Sequence, residues 1–567
     1  MSDRLRESFP TFLRLIWEHL SLPPPDPIQI DIAKTLQYGP NRQVIQAFRG
    51  AGKSYITGAF CCWCLLRDPD ETILVLSASQ DKASDQSQFM LRLITDVPVL
   101  QHLTPRDNQR SSMLAFDVNG ARVKQSPSVR SRGITSTITG GRATIIVADD
   151  IETPDNSMTQ VMRDKIREKV KELDNIITPG RKARIIYLGT PQLEDTLYEI
   201  LPRRGYKAQI WPVQFPSAKE IANYGDKLAP ALLEALQKDP DLTGKPLEPR
   251  RFGQVVIDEK KITQGAAGFA LQYMLDPTLT DVDRYPLKLR DLVVMDVNPE
   301  LGPEKVVWAS SKDLALGELP CVGLKGDRFY SPLGYNGRIR DADGRAVWQP
   351  YTGALLAIDP SGRGEDETGY AVTKFLNSQI FVTDAGGFKG GHEEKTLQRL
   401  AAIAKQHQVK HVIVEANFGD GMWAKLFTPY LVNIGYPVTI EEVKASNTMF
   451  KEARILDVLE PVMAQHRLIV DKKVIEQDHQ PIDGIPPEKA LRYQLFYQMT
   501  RLTRVKRSLM HDDRLDALAW AVWYWAQQMA GDQEARMQAT QEAWMQRQID
   551  DFMFHCLGHK PQPLTWM

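Results

Sequence analysis

The run Gln46-Ala47-Phe48-Arg49-Gly50-Ala51-Gly52-Lys53-Ser54 carries the first chemistry legible in this chain. It follows a strand-like segment, Val44 to Ala47, and opens an apolar helical one, Tyr55 to Leu66. A turn in that position offers backbone N–H groups and a helix N-terminus to phosphate. Its lysine reaches the β/γ-phosphates and its hydroxyl residue holds Mg2+. A nucleotide is therefore expected on Arg49, Gly50, Ala51, Gly52, Lys53 and Ser54. The glycine that usually opens such a loop is replaced by Ala47, so the motif is degenerate and needs support from elsewhere in the chain.

Support comes from Ala143 to Asp150, an apolar strand that ends in two acids. A carboxylate at the carboxyl end of a buried strand is what Mg2+ coordination opposite a phosphate loop requires. Asp149 is expected on Mg2+ through water, with Asp150 or Glu152 orienting or deprotonating the attacking water. A second strand ends in Gly189-Thr190-Pro191-Gln192, where the Thr190 hydroxyl is placed to sense the γ-phosphate. Among the arginines, Arg49 inside the loop and Arg132 in Ser128 to Ile134 have a context suited to stabilising transition-state charge.

A second set of residues lies about 300 positions downstream. Asp359 ends one strand-like run, Glu415 ends another, and Asp512, Asp513 and Asp516 open a helical one. Two-metal phosphodiester hydrolysis needs carboxylates converging from different elements. Asp359, Glu415 and Asp513 are the expected ligands, with Asp512 the rival for the third place and Asp516 a salt-bridge residue. His511 is suited to positioning water or phosphate, and Glu365, Asp366 and Glu367 read as hairpin loop, with one of them joining the metal site as the alternative. All-oxygen ligands favour Mg2+ or Mn2+.

The elements that must position these groups follow from the pattern of apolar runs. From 42 to about 215 strand-length runs alternate with helical stretches, which predicts an α/β domain with a parallel-type sheet. A lead-in (1–40) precedes this domain (41–275), and a Pro-, Gly- and Asp-rich connection (276–350) follows it. Residues 351–530 read as three hairpin-linked strands and then alternating helices and strands, the order of a ribonuclease-H-like domain. A helical tail (531–567) closes the chain. Lys and Arg number 70 against 71 Asp and Glu, so any nucleic-acid contact rests on local clusters. Three such clusters are Arg181 to Arg184, Arg203-Arg204 and Arg501 to Arg507. Of five cysteines, Cys61, Cys62 and Cys64 share one predicted helix, which argues against a disulfide framework and for a reducing compartment. No run reads as a secretion signal or a membrane span.

The phosphate loop, the SRGIT…GGRATIIVADD stretch, YLGTPQ, AIDPSGRGEDETGYAV, VIVEANFGDG and HDDRLDALAWAV, in this order, resemble the large terminase subunit of tailed phages. The likeness is strongest to the short-tailed podophage type, also called DNA maturase B. It implies an N-terminal ASCE-type ATPase that drives double-stranded DNA into a procapsid, and a C-terminal ribonuclease-H-like endonuclease that cuts concatemeric DNA. It further implies that Gln29 contacts adenine, that Arg49 or Arg132 is the arginine finger, and that Gly189-Thr190-Pro191 couples hydrolysis to movement. The family more often has Asp-Glu where this chain has Asp149-Asp150, which leaves Asp150 and Glu152 both open as the catalytic carboxylate. The implied cofactors are ATP with Mg2+, and two Mg2+ or Mn2+ ions for the nuclease. The implied partners are DNA, the portal, reached through the C-terminal tail, a small terminase subunit, and further copies in a ring, a pentamer. The implied location is the host cytoplasm, transiently on the procapsid. A repair helicase–nuclease and a nucleotide-switched assembly protein are the competing readings. The first lacks a second RecA-like motif set.

Overall fold

The computed structural model describes residues 2–529 except 139, 179–182, 279–280, 282–283, 362–365, 417–421, 445–449 and 483–484, and, beyond 529, Met545. Arg181 and Lys182, Glu365, and the tail from 531 with Trp544, Phe552, Phe554 and Trp566 lie outside the described residues. The chain divides into two compact units, Met1–Arg284 and Tyr285–Met567.

The first unit is built on seven strands: β1 (Arg42–Ala47), β2 (Ile73–Ser77), β3 (Ala115–Phe116), β4 (Val129–Gly133), β5 (Ile145–Asp149), β6 (Arg184–Gly189) and β7 (Lys207–Trp211). Their order is β3-β4-β2-β5-β6-β1-β7, and every pairing is parallel except β3 with β4. Strands buried on both faces need near-continuous apolar sequence, and β2, β5 and β6 have it, whereas β1 buries Gln43 and Gln46 beside Val44 and Ile45. Alternation along each strand divides the core in two. Ile45, Val75, Val147 and Ile186 face helices Lys53–Arg67 and Gln80–Asp96. Val44, Leu74, Ile146 and Ile185 face helix Gln160–Ile176. The lead-in belongs to the first of these cores: Phe9, Phe12, Leu13 and Ile16 are fully buried there.

β4 was not among the expected strands. Its residues alternate buried and half-buried, with Arg130 and Arg132 on the half-buried positions, so the stretch has no apolar run. The strand order also places β6 between β1 and β5. The phosphate loop, Thr190 and Asp149 therefore stand in a row at the carboxyl ends of three adjacent strands, where open α/β sheets bind ligands.

In the second unit the small pairs β9 (Leu301–Pro303) with β12 (Trp348–Pro350), and β10 (Lys305–Val307) with β11 (Gly334–Asn336), flank a seven-stranded sheet. That sheet contains β8 (Val293–Met295), β13 (Gly353–Asp359), β14 (Thr368–Leu376), β15 (Gln379–Phe388), β16 (His411–Glu415), β17 (Thr439–Val443) and β18 (Leu468–Asp471). The order is β17-β16-β13-β14-β15-β18-β8. β13, β14 and β15 form the expected antiparallel meander, and β16 joins β13 in parallel. β18 was not expected, and β8 joins β18 in parallel. The stretch 276–350 is thus no separate connection: the division between units falls inside it, and one of its strands extends the second sheet. Leu355, Ala357 and Ile413 face helix Lys451–Ala464 and the helix 513–529. Leu356, Ile358 and Val414 face helices Glu394–Gln406 and Met422–Asn433. Among the described residues no helix is long and apolar enough to cross a membrane.

Candidate active sites

The phosphate loop is held in shape from outside. Gly50 and Gly52 have φ of 96° and 85°, in the left-handed region, where side chains are strained. A Cβ on Gly50 would also lie 2.7 Å from the Phe252 ring. Phe252 packs edge-on against Phe48, and Arg251 donates to the Gly50 carbonyl at 3.2 Å while pairing with buried Asp26. Ala47, by contrast, is the last residue of β1, fully buried and paired with Trp211. The turn starts after it, so no glycine is needed at that position.

Gln29 joins the same support. Its Nε2 donates to the Ala51 carbonyl at 3.0 Å, and its Oε1 accepts from Asp26 N at 3.2 Å in a capping box that starts helix Pro27–Tyr38. The residue implied to contact adenine is buried against the loop and is not on the wall of the cavity described next.

The carboxyl ends of β1, β6, β5 and β2 open on a cavity of about 660 Å3, walled by Arg49, Lys53, Asp150, Thr190 and Lys82 among others. The Lys53 ammonium donates to the Ala47 carbonyl at 2.6 Å and lies 3.4 Å from the Thr190 hydroxyl. The Ser54 hydroxyl donates to Asp149 Oδ2 at 2.6 Å. Among the described residues, Asp149 Oδ1 is buried without a hydrogen-bond partner. A hydroxyl beside an unsatisfied carboxylate at a phosphate loop is a donor set that fits Mg2+. Burial, with the Asp150 charge next, pushes the Asp149 carboxyl up to about 6, against the Ser54 hydrogen bond and the charges of Lys53 and Lys82. Lys82, on the first turn of the helix after β2, was not singled out from sequence, because nothing in Ser79-Gln80-Asp81-Lys82 marks it.

The two rival carboxylates differ. Asp150 is half-buried on the cavity wall, in the left-handed region (φ 44°). Glu152 also borders the cavity but is 2% exposed, and its Oε2 accepts from the Thr196 hydroxyl at 2.6 Å and from Leu197 N at 2.9 Å. Burial raises its pKa against those two hydrogen bonds. Of the two candidate finger arginines, Arg49 borders the cavity. Arg132 lies on β4, beyond β2, and is not on the cavity wall.

In the second unit, parallel pairing of β13 and β16 brings their last residues, Asp359 and Glu415, side by side. Both are buried. The third carboxylate within reach of them is Asp516: oxygens of Asp359, Glu415 and Asp516 lie within 4.8 Å of one another. Asp513 falls instead into a neighbouring group with Asp366 and His511. Asp512 pairs with Lys451 at 2.9 Å. Gly369 makes this geometry possible, since a Cβ there would lie 2.2 Å from the Asp513 carbonyl oxygen. The start of helix 513–529 therefore rests directly on β14. Arg514 fixes it further, with Glu367 at 2.9 and 3.3 Å and Asp478 at 3.2 Å, all three buried.

Lys451 and Arg454 were not foreseen as part of this site. Lys451 Nζ lies 3.2 Å from Asp359, 2.9 Å from Asp512 and 3.0 Å from Asp516. Arg454 contacts Asp516 at 2.6 Å and Glu415 at 3.7 Å, with its guanidinium over the Trp520 ring. Burial works against the Lys451 charge, but Asp516, Asp359 and Asp512 outweigh it and raise the ammonium's pKa. Burial also raises Asp359 well above the carboxylate range. It pushes Asp513 up to about 7, assisted by Asp512 and Asp366. The His511 ring, stacked on Tyr493, is lowered by burial against the pull of Asp366. The signal available in sequence was two cations three residues apart on one helix, Lys451–Ala464, which also carries Glu452, Asp457 and Glu460. An all-carboxylate set of this kind fits hard divalent ions. In the basic run before the site, Arg504 is spent on Asp457 and Glu460, whereas Arg507 is exposed.

A phosphate loop facing an acidic strand end in one unit, and converging carboxylates on a ribonuclease-H-type sheet in the other, define a two-site nucleoside triphosphatase–nuclease. Comparison with known proteins gives that class a family. The family described as "Terminase Bacteriophage T7, Ribonuclease H-like domain" matches residues 358–468. The "Terminase, large subunit" of Enterobacteria phage T3 is 42% identical over 560 residues, 98% of this chain and 93% of that protein. The chain belongs to the large terminase subunit family. Solved structures similar to it include the large terminase of bacteriophage HK97 (12% identity, 88% of this chain and 94% of that one, TM-score 0.38). They also include the nuclease domain of gp2 of bacterial virus Sf6 (16% identity, 31% and 90%, TM-score 0.23).

Proposed function

We propose that the first unit hydrolyses ATP to drive double-stranded DNA through the portal into a procapsid, and that the second cuts concatemeric DNA. The observation that carries this reading is the pairing, within one chain of this family, of the Lys53–Ser54–Asp149 cavity with the Asp359–Glu415–Asp516 carboxylates. Gly50, Ala51 and Gly52 cradle the phosphates, Lys53 meets the β/γ-phosphates, and Ser54 and Asp149 hold Mg2+. Asp150, partly open to the cavity, orients the attacking water and takes its proton. Arg49, on the same wall, stabilises charge developing on the phosphoryl group. Thr190, in contact with Lys53, reports the state of the site to the segment behind it.

In the second unit Asp359, Glu415 and Asp516 hold one divalent ion, Mg2+ or Mn2+. Asp513, with Asp366 and His511, provides the place for a second, and Asp512 is held by Lys451. When bound, such ions supply positive charge to the scissile phosphate and lower the pKa of water. Exposed Arg203, Arg204 and Arg507 contribute sequence-independent phosphate contacts. The partners are the portal, a small terminase subunit and further copies of the chain in a ring of five, in the host cytoplasm and transiently on the procapsid. DNA packaging into purified procapsids tests the assignment. Lys53→Ala is expected to abolish packaging and ATP hydrolysis, and Asp359→Ala to abolish Mn2+-dependent plasmid cutting with ATP hydrolysis intact. Packaging by Lys53→Ala at the wild-type rate would overturn it.

A further inference from the structure

The segment from Thr190 to Thr196 is tied to the nucleotide cavity at both ends. At one end the Thr190 hydroxyl lies 3.4 Å from the Lys53 ammonium. At the other, Thr196 and Leu197 donate to the same oxygen of Glu152, at 2.6 and 2.9 Å. Glu152 follows the acidic strand end by three residues and borders the cavity, yet its carboxylate is enclosed by protein. A third tie lies beside the second: the Tyr198 hydroxyl reaches the Leu188 carbonyl at 3.3 Å, and Gly189 leaves it room, since a Cβ there would lie 1.9 Å from that hydroxyl. Tyr198 lies in the short helix Leu197–Ile200; the chain then runs through Leu201–Arg204, which presents Arg203 and Arg204 to solvent, and returns as β7 beside the phosphate-loop strand.

We infer that Glu152 is a positioning residue, a latch that links the acidic loop of the cavity to the 190–204 segment, and that the attacking water is served by another carboxylate. This rests on the reading of the cavity as a site of ATP hydrolysis. A general base must have an oxygen within reach of water in the cavity. Glu152 has one oxygen filled by two donors and the other buried with no hydrogen-bond partner among the described residues, and the charges of Arg167 and Arg163 on helix Gln160–Ile176 act on it. A carboxylate so placed converts a shift of the Asp149–Asp150 loop into a shift of Thr196 and of the arginines that follow, because the buried hydrogen bonds are costly to leave unmade. The nucleotide state of the cavity thereby reaches a phosphate-binding surface within the same unit.

Hydrogen exchange of backbone amides 190–204 in the full chain, with and without Mg-ATPγS, tests the latch. In the wild type, nucleotide is expected to change exchange at 196–204 severalfold. Glu152→Gln is expected to preserve that response, because its amide oxygen accepts the same two bonds. Glu152→Ala is expected to lose it. Should Glu152→Ala fail to fold, Thr196→Val (response lost) and Thr196→Ser (response kept) make the same comparison. A wild type with no nucleotide response, or a full response in Glu152→Ala and Thr196→Val, would overturn the proposal. So would Glu152→Gln losing ATP turnover a hundredfold while Asp150→Asn keeps it. The underlying reading fails separately, if Lys53→Ala binds Mg-ATPγS as tightly as the wild type.

Discussion

At the scale of single residues, the two sites are dominated by buried carboxylates that the fold holds at a cost. Asp149 has the clearest consequence. Burial raises its carboxyl from 3.8 to about 6, so the folded chain binds that proton more tightly than the unfolded chain does. The stabilisation is full below pH 3.8 and is lost as pH rises through about 6; the total is about 3 kcal/mol. At pH 7 the ionised group is therefore a burden, and Asp149→Asn is expected to raise the urea midpoint of the first unit at pH 7 but not at pH 4, while abolishing ATP hydrolysis. Equal midpoints at pH 7 would show that Ser54 and Lys53 already compensate the charge. Lys451 poses the opposite case. Its ammonium stands among Asp359, Asp512 and Asp516, where a divalent ion must compete with it. Removing it by Lys451→Ala is expected to tighten Mn2+ binding by roughly tenfold in a calorimetric titration, about 1.4 kcal/mol. Weaker Mn2+ binding would mean that the lysine orders the carboxylates rather than contesting them.

At the scale of elements, the sequence made some parts plain and hid others for physical reasons. Gly-Lys-Ser after an apolar run has few structural meanings, so the loop was legible, and the position where the usual glycine is missing, Ala47, is still in the strand. Asp359 and Glu415 were legible because each ends a continuous buried run. The salt bridges expected of Asp516 are present, to Lys451 and Arg454, but spacing alone did not place Asp516 beside Asp359 and Glu415. In the helix that follows Asp512 it shares a face with both Asp512 and Asp513, and only the seating of that helix on Gly369 decides which acid reaches Glu415. Lys451, Arg454 and the bonds of Glu152 join elements far apart in the chain, which no local period records. β4 escaped because its half-buried arginines break the apolar run, and β18 because it is four residues long.

At the scale of the molecule, each unit has its own sheet and its own cores on both faces of that sheet. Stability should therefore be divisible in the same way. A ligand that binds only the folded first unit stabilises that unit by mass action, about 2.7 kcal/mol at a hundredfold excess over Kd, and does nothing for the second. Scanning calorimetry of the full chain is expected to resolve two transitions. Mg-ATPγS should move one upward, Mn2+ should move the other, and Lys53→Ala should remove only the first response. The Mn2+ response should depend on Asp359 and Glu415, and so vanish in Asp359→Ala with the nucleotide response intact. A single transition that both ligands shift together would show the two units unfolding as one body, and the motor and nuclease sites would then share one stability rather than two.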